Sequence, residues 1–117
     1  MNIYEVQPIF SHPTHPFELT IDAPGAKSIT NRALMLAALA NGETLLKGAL
    51  FSDDSRHFLQ CLKDLGFDVV VDEPAHTVRV TGLGGRIPKE TAAINVGSAG
   101  TAARFVTAML CFAEGVW

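Results

Sequence analysis

The chain has 117 residues, of which 48% are hydrophobic and 18% charged, and its net charge is −3. This composition is typical of a globular protein with an apolar core and excludes a disordered chain. Its nine basic residues are scattered, which argues against nucleic-acid binding but is compatible with a small anionic ligand, because such a ligand needs only a few well-placed cations.

The first part of the sequence predicts an extended segment, a linker and a strand. Residues 3–10 are rich in apolar side chains. Residues 11–16 contain two prolines, which prevent regular strand pairing. Residues 17–21 alternate between apolar and polar side chains, as expected of a strand.

A helix is predicted over residues 28–40. Gly42 marks its end, because glycine readily adopts the left-handed conformation that terminates a helix. This helix is apolar almost all round after Arg32, so we expect it to be buried. It contains the longest uninterrupted apolar run, residues 33–40, which is far shorter than the roughly 20 residues that span a bilayer. The first residues also lack the pattern of a signal peptide. We therefore expect a cytoplasmic protein with no membrane partner.

A strand and a second helix are predicted next. The strand covers residues 43–48, and Ser52 after it is a favourable N-cap for a helix whose first turn holds Asp53 and Asp54. We interpret these two acids as helix-end residues rather than as a catalytic pair. Arg56, in the same helix, is expected to pair with one of them.

Gly66 ends the second helix, and a hairpin follows it. Its strands cover residues 67–71 and 77–81 and are joined by a five-residue loop. Arg79 alternates with valines in the second strand, so its side chain should point to solvent. Residues 82–85 contain three glycines and predict a loop.

A strand over residues 93–96 and a third helix over residues 99–113 complete the pattern. The order β-α-β-α-β-β, followed by β-α, places the chain in the α/β (α+β) class. Cys61 and Cys111 lie within apolar helical patterns, so we expect two buried, reduced thiols and no metal site. Because Trp117 closely follows the apolar third helix, we expect this chain to be part of a longer protein.

Two loops of small residues have the same spacing. Residues 25–32 (GAKSITNR) and residues 97–104 (GSAGTAAR) each run from a glycine to an arginine seven positions on. The free N–H groups and partial positive charge of a helix N-terminus favour an anion, and small residues let that anion approach the backbone. One such loop alone is usually an ordinary turn. Two loops at matched spacing, each with an arginine, make anion binding as good an interpretation as two ordinary turns, without identifying the anion.

The first loop carries side chains that suit an anion. Ser28 and Arg32 are four residues apart and share a helix face, and the guanidinium can hold a carboxylate or phosphate by two hydrogen bonds. Lys27 adds a movable ammonium. A nucleotide-binding P-loop is disfavoured, because Ala26 stands where that motif needs glycine. A module that binds anions or assembles without chemistry stays an alternative to an enzyme.

Three segments of the sequence resemble the EPSP synthases. They are residues 24–34 (PGAKSITNRAL), 50–56 (LFSDDSR) and 97–104, in the order and at separations compatible with that family. The resemblance implies a protein several times longer, with two similar domains built from βαβαββ units. It also implies transfer of the enolpyruvyl group of phosphoenolpyruvate to the 5-hydroxyl of shikimate 3-phosphate, with release of phosphate, through a tetrahedral adduct. No metal or organic cofactor is implied, and glyphosate is the family's inhibitor.

The same resemblance implies a role for particular residues. Lys27 would contact both substrates and assist proton transfer near the 5-hydroxyl. Ser28 and Arg32 would bind shikimate 3-phosphate, at its carboxylate. Gly100 would bring backbone close to phosphoenolpyruvate, with Ser98 beside that site. The supporting positions are Asp54, Thr101 and Arg104.

The resemblance also divides the chain. Residues 17–82 would form one complete βαβαββ unit and residues 92–117 would begin a second, while residues 1–16 would belong with the missing domain. We expect the chain alone to be inactive, because the second domain supplies further cations and acids. We also expect it to self-associate, whereas the full-length protein should be a monomer.

Three positions depart from the family pattern. Ala26 stands where serine is usual, Ser98 where asparagine is usual, and Phe105 where proline or leucine is commoner. The last two are expected to change the affinity for phosphoenolpyruvate or glyphosate. The related UDP-N-acetylglucosamine enolpyruvyl transferases typically carry asparagine after the loop lysine, so Ser28 favours shikimate 3-phosphate. His57 is isolated in the sequence and is given no role.

Overall fold

The computed structural model describes residues 3, 5 and 20–117. Within these residues the fold is α+β, with three helices and three strands. In chain order the elements are α1 (Lys27–Leu39), β1 (Asn41–Lys47), α2 (Asp53–Asp64), β2 (Asp68–Asp72), β3 (Thr77–Leu83) and α3 (Gly100–Leu110).

The predictions for the start of the chain fall largely outside the described residues. These are the linker over residues 11–16 and the extended segment over residues 3–10, of which only Ile3 and Glu5 are described. Residues 17–19 of the predicted strand are also outside. Its last two residues, Thr20 and Ile21, are described and belong to no strand.

Helix α1 begins and ends within one residue of its predicted bounds, but the prediction that it is buried holds for only one of its faces. Its buried residues are Thr30, Asn31, Leu34, Ala37 and Ala38. These lie on one face, which packs against β3, α2 and α3. The apolar side chains of Ile29 and Leu36 lie on the opposite face and are 66% and 63% exposed.

Helix α2 begins at a complete capping box. The Ser52 hydroxyl accepts the Ser55 N–H at 3.4 Å, and the Ser55 hydroxyl accepts the Ser52 N–H at 2.8 Å. Asp53 and Asp54 occupy the first turn, as predicted, where negative charge is favourable. The buried face of α2 includes Phe58, whose burial contributes about 1.5–3 kcal/mol.

Arg56 does not pair with either first-turn acid of α2. Its guanidinium donates two hydrogen bonds to the Glu73 carboxylate, at 3.1 and 3.2 Å. The turn after β2 brings Glu73 beside the helix, and the Arg56 hydrogen bond lowers the pKa of that carboxyl. The prediction failed because sequence spacing does not show contacts between separate elements.

The sheet is antiparallel with strand order β1-β3-β2. In the central strand β3, Val78 and Val80 are fully buried and Arg79 between them is exposed, as predicted. The Arg79 guanidinium lies 3.6 Å from the Glu43 carboxylate on β1. The sheet therefore packs one face against the helices.

Two details of the hairpin differ from prediction. The loop has four residues, 73–76, because Asp72 still belongs to β2. Strand β3 continues through Gly82 and Leu83, which were predicted to lie in a loop. They pair with Gly42 and Asn41 of β1, so the backbone of this glycine-rich segment is held by strand hydrogen bonds.

The predicted strand over residues 93–96 does not form. The one bridge near it joins Thr91 to Val116. Ala92, Ile94 and Val96 still turn partly buried side chains toward the core, but no described strand lies beside them to complete a ladder. Helix α3 follows and is shorter than its predicted range of 99–113.

The two cysteines differ in environment. Both are free; Cys61 is buried, as expected, whereas Cys111 is exposed, so that part of the expectation is wrong. Cys111 is the C-cap residue of α3, beyond the last helical turn that packs on the core. Burial raises the pKa of the Cys61 thiol from 9.0 to about 11.

We expect iodoacetamide at pH 8 to alkylate Cys111 and to spare Cys61 until the chain is unfolded in urea. The thiolate is the reactive form, and Cys61 is both protonated and shielded. The pKa of the Cys61 thiol is higher in the folded chain than in the unfolded chain. Ionisation of this thiol therefore lowers the free energy of unfolding as pH rises from 9.0 to about 11. Mass spectrometry of native samples tests the reactivity, and equal labelling of both thiols would contradict it.

None of the helices in the described part of the chain is long and apolar enough to cross a membrane.

Candidate anion-binding site

The N-terminus of α1 is fixed by a close backbone approach. A side chain at Gly25 would overlap the carbonyl oxygen of Gly48, so glycine is required there. The Thr30 hydroxyl accepts the Leu50 N–H at 3.1 Å. The N-cap residue, Ala26, makes no side-chain cap hydrogen bond. Among the described residues, therefore, the N–H groups of the first turn are open to a ligand.

Lys27 is the first residue of α1 and forms an ion pair with α2. Its Nζ lies 2.9 Å from Oδ2 of Asp54, and the two side chains are 54% and 23% exposed. An ion pair this exposed contributes at most about 1 kcal/mol. The contact places the predicted catalytic lysine and the predicted supporting acid together, and it leaves the ammonium within reach of solvent.

The two arginines of the repeated motif adopt the same local arrangement. Nη1 of Arg32 donates to the carbonyl oxygen of Ser28 at 3.0 Å. Nη1 of Arg104 lies 3.5 Å from the carbonyl oxygen of Gly100, a weaker contact. Both arginines are exposed, and each lies over the first turn of its own helix. The predicted shared face of Ser28 and Arg32 is therefore present.

The second loop is a tight turn held by side chain and backbone. Gly97 has φ 55°, a left-handed conformation that favours glycine. Its N–H donates to Oδ1 of Asn95 at 2.8 Å, and the Ala99 N–H donates to the Val96 carbonyl at 3.0 Å. Ala99, the N-cap of α3, makes no side-chain cap hydrogen bond. Ser98 and Gly100 beside it are exposed.

Helix α2 contacts both loops through residues three positions apart. Asp54 pairs with Lys27 of the first loop. The ring of His57 lies against Gly97 of the second, where an added Cβ would come within 2.5 Å of it. No role for His57 was predicted, because nothing in local spacing links it to a glycine 40 residues away. The two predicted anion sites thus flank the first turns of one helix.

Asn31 lies between Thr30 and Arg32 and is completely buried. Neither its Oδ1 nor its Nδ2 has a hydrogen-bond partner among the described residues. Such a group costs about 1–3 kcal/mol.

Thr101, predicted as a supporting residue, is half-buried in the first turn of α3.

A cleft of about 450 Å³ beside Gly25 is lined by residues 22–25, residues 48–50 and His76. Among the described residues its lining includes the Asp22 carboxylate and no lysine or arginine, so the cleft does not suit an anion.

Known proteins resemble this chain over most of its length. A family profile described as EPSP synthase (3-phosphoshikimate 1-carboxyvinyltransferase) matches residues 12–116. A 3-phosphoshikimate 1-carboxyvinyltransferase of Trichormus variabilis is 47% identical over 100 residues, which are 86% of this chain and 24% of that protein. One of Ralstonia pickettii is 49% identical over 96 residues, 82% of this chain and 22% of that protein.

A solved structure gives the same match. The EPSP synthase from Acinetobacter baumannii superposes with a TM-score of 0.70 and 30% sequence identity, over 77% of this chain and 20% of that one. This chain therefore spans less than a quarter of the length of the relatives that it matches.

Proposed function

Because this chain belongs to the EPSP synthase family, we propose that it is one segment of a 3-phosphoshikimate 1-carboxyvinyltransferase. The observation that carries the proposal is the pair of uncapped helix N-termini, at Ala26 and Ala99, that flank α2. Both proposed substrates, shikimate 3-phosphate and phosphoenolpyruvate, are polyanions. Their mutual repulsion is offset by cations and helix ends placed where charge accumulates.

The N-terminus of α1 binds shikimate 3-phosphate. The Ser28 hydroxyl and the Arg32 guanidinium share a face of the helix, and the guanidinium already lies over the first turn at 3.0 Å from the Ser28 carbonyl. A planar guanidinium there holds a carboxylate by two parallel hydrogen bonds. The open N–H groups after Ala26 add further donors.

Lys27 lies between the two substrates. Its ammonium pairs with Asp54 and is half-exposed, so an incoming anion can draw it away at little energetic cost. In the reaction it neutralises phosphoenolpyruvate and assists proton transfer near the 5-hydroxyl. Asp54 acts as its resting partner.

The N-terminus of α3 holds phosphoenolpyruvate. A side chain added at Gly100 would meet only the flexible end of Arg104, at 3.4 Å, so a ligand can reach this backbone closely. Thr101 and Arg104 support the same turn. Holding two reactants side by side removes an entropic barrier of up to about 7–11 kcal/mol.

The departures at Ser98 and Phe105 differ in their surroundings. Ser98 is exposed in the loop, and its proposed effect on phosphoenolpyruvate or glyphosate stays a prediction. Phe105 packs toward α2, with its ring centroid 6.3 Å from that of Phe58. Its aromatic ring therefore fills the core between α2 and α3, which supports a structural role for Phe105.

The rest of the longer protein supplies what this segment lacks. We assign residues 17–82 to one βαβαββ unit and residues 92–117 to the start of a second, with residues 1–16 belonging to another domain. The exposed apolar side chains of Ile29 and Leu36 suit packing against further units. The same surface favours self-association of the isolated chain.

The proposal is tested by titrating shikimate 3-phosphate into the 117-residue chain and following backbone amides by NMR. We expect shifts concentrated in residues 25–32, with weak affinity, because one helix end and one loop supply only part of the site. UDP-N-acetylglucosamine, in a parallel titration, should leave these residues unchanged. A response to the sugar nucleotide alone, or no response of residues 25–32 to shikimate 3-phosphate, would overturn the assignment.

A further inference from the structure

The His57 ring lies directly against the glycine that opens the second loop. An ideal Cβ on Gly97 would be 2.5 Å from Cε1 and Nε2 and 2.9 Å from Nδ1 of the ring. Three ring atoms this close mean that the imidazole contacts the bare backbone, with no space for a side chain between them. His57 is half-buried on α2.

The turn above the ring has little freedom of its own. The Gly97 N–H is held by Asn95 at 2.8 Å, and the Ala99 N–H is held by Val96 at 3.0 Å. Any change in the distance between Gly97 and α2 therefore also moves Ser98 and the first N–H groups of α3. The contact between the His57 ring and Gly97 sets that distance.

We propose that His57 is a positioning residue for phosphoenolpyruvate. Its ring contacts Gly97 and so fixes the position of the second loop. This inference rests on the proposed function, because it assigns phosphoenolpyruvate to that loop. His57 acts through Gly97 rather than by touching the substrate. Asp54, three residues earlier on α2, pairs with Lys27 of the first loop, so one helix contacts both halves of the site.

The test compares His57→Ala, His57→Phe and Gln60→Ala in the 117-residue chain. Phosphoenolpyruvate is titrated into each, with Kd taken from the amide shifts of residues 97–101, and shikimate 3-phosphate is titrated separately, with Kd taken from residues 25–32. Phenylalanine keeps a planar ring against Gly97 but cannot ionise. Gln60→Ala truncates an exposed side chain of the same helix and is the matched control.

We expect His57→Ala to weaken phosphoenolpyruvate binding by about tenfold or more, since small displacements of a binding loop have large effects. His57→Phe should recover most of the affinity, and shikimate 3-phosphate should bind all four proteins alike. Unchanged phosphoenolpyruvate affinity in His57→Ala, equal losses in both His57 variants, or no shift of residues 97–101 in the wild-type chain would each overturn the proposal. Failure of shikimate 3-phosphate to shift residues 25–32 would instead count against the proposed function.

Discussion

We expect Lys27→Met to lower kcat/KM by about 10²–10³ in a hybrid enzyme in which the matching 100-residue segment of this chain replaces its counterpart in the Trichormus variabilis relative. Methionine keeps most of the length of the side chain and removes the ammonium. The charge lost is the one that lies at the first turn of α1, 2.9 Å from Asp54. Because Ser28 and Arg32 remain in place, we expect shikimate 3-phosphate still to bind and the larger part of the loss to fall on kcat.

The matched control for this result is Lys63→Met. Lys63 is an exposed lysine in the last turn of α2, at the opposite end of that helix from Asp54. Its replacement changes net charge by the same amount and should leave turnover within about twofold, as for most surface substitutions. Equal losses in the two variants would mean that Lys27 acts through net charge alone, and the assigned role would be wrong.

We expect Gly82→Ala to lower the free energy of unfolding of the 117-residue chain by about 3 kcal/mol or more, beyond the range of most single substitutions. Gly82 is buried in β3, where an added Cβ would overlap the carbonyl oxygens of Ala37 and Ala40. These are backbone atoms at the end of α1, so the overlap is removed only if the helix moves away from the sheet. Urea unfolding followed by circular dichroism measures the loss.

Gly85→Ala separates this overlap from the ordinary effect of removing a glycine. Gly85 has φ 89°, and no atom lies within 4 Å of an added Cβ. The substitution therefore carries only backbone strain, which costs about 1–2 kcal/mol. If Gly85→Ala lowered the free energy of unfolding as much as Gly82→Ala, the contact between α1 and β3 would be looser than described.

Local signals in the sequence predicted the elements well. Ser52 and Gly66 mark the ends of α2, and Gly42 follows the end of α1, because capping and left-handed glycines depend on neighbouring residues only. The failures involve distant partners. Among the described residues, no neighbouring strand lies beside residues 93–96, and no element covers the exposed face of α1.

In the candidate site, too, a local contact was predicted and contacts between distant residues were not. The contact between Ser28 and Arg32 spans one helical turn, so spacing predicted it. The contact of His57 with Gly97 spans 40 residues and depends on how α2 packs beside the second loop. The family resemblance assigned both Lys27 and Asp54 to the site, but the ion pair between them was not predicted, since no periodicity joins residues 27 apart.

The most direct test of the account is the turnover of the unmodified hybrid enzyme, measured as phosphate release with both substrates present and with each omitted. A segment that carries the shikimate 3-phosphate helix end and the phosphoenolpyruvate loop in the right geometry should give turnover that requires both substrates. A hybrid that folds as the parent enzyme does, yet releases no phosphate from phosphoenolpyruvate and shikimate 3-phosphate, would contradict the account.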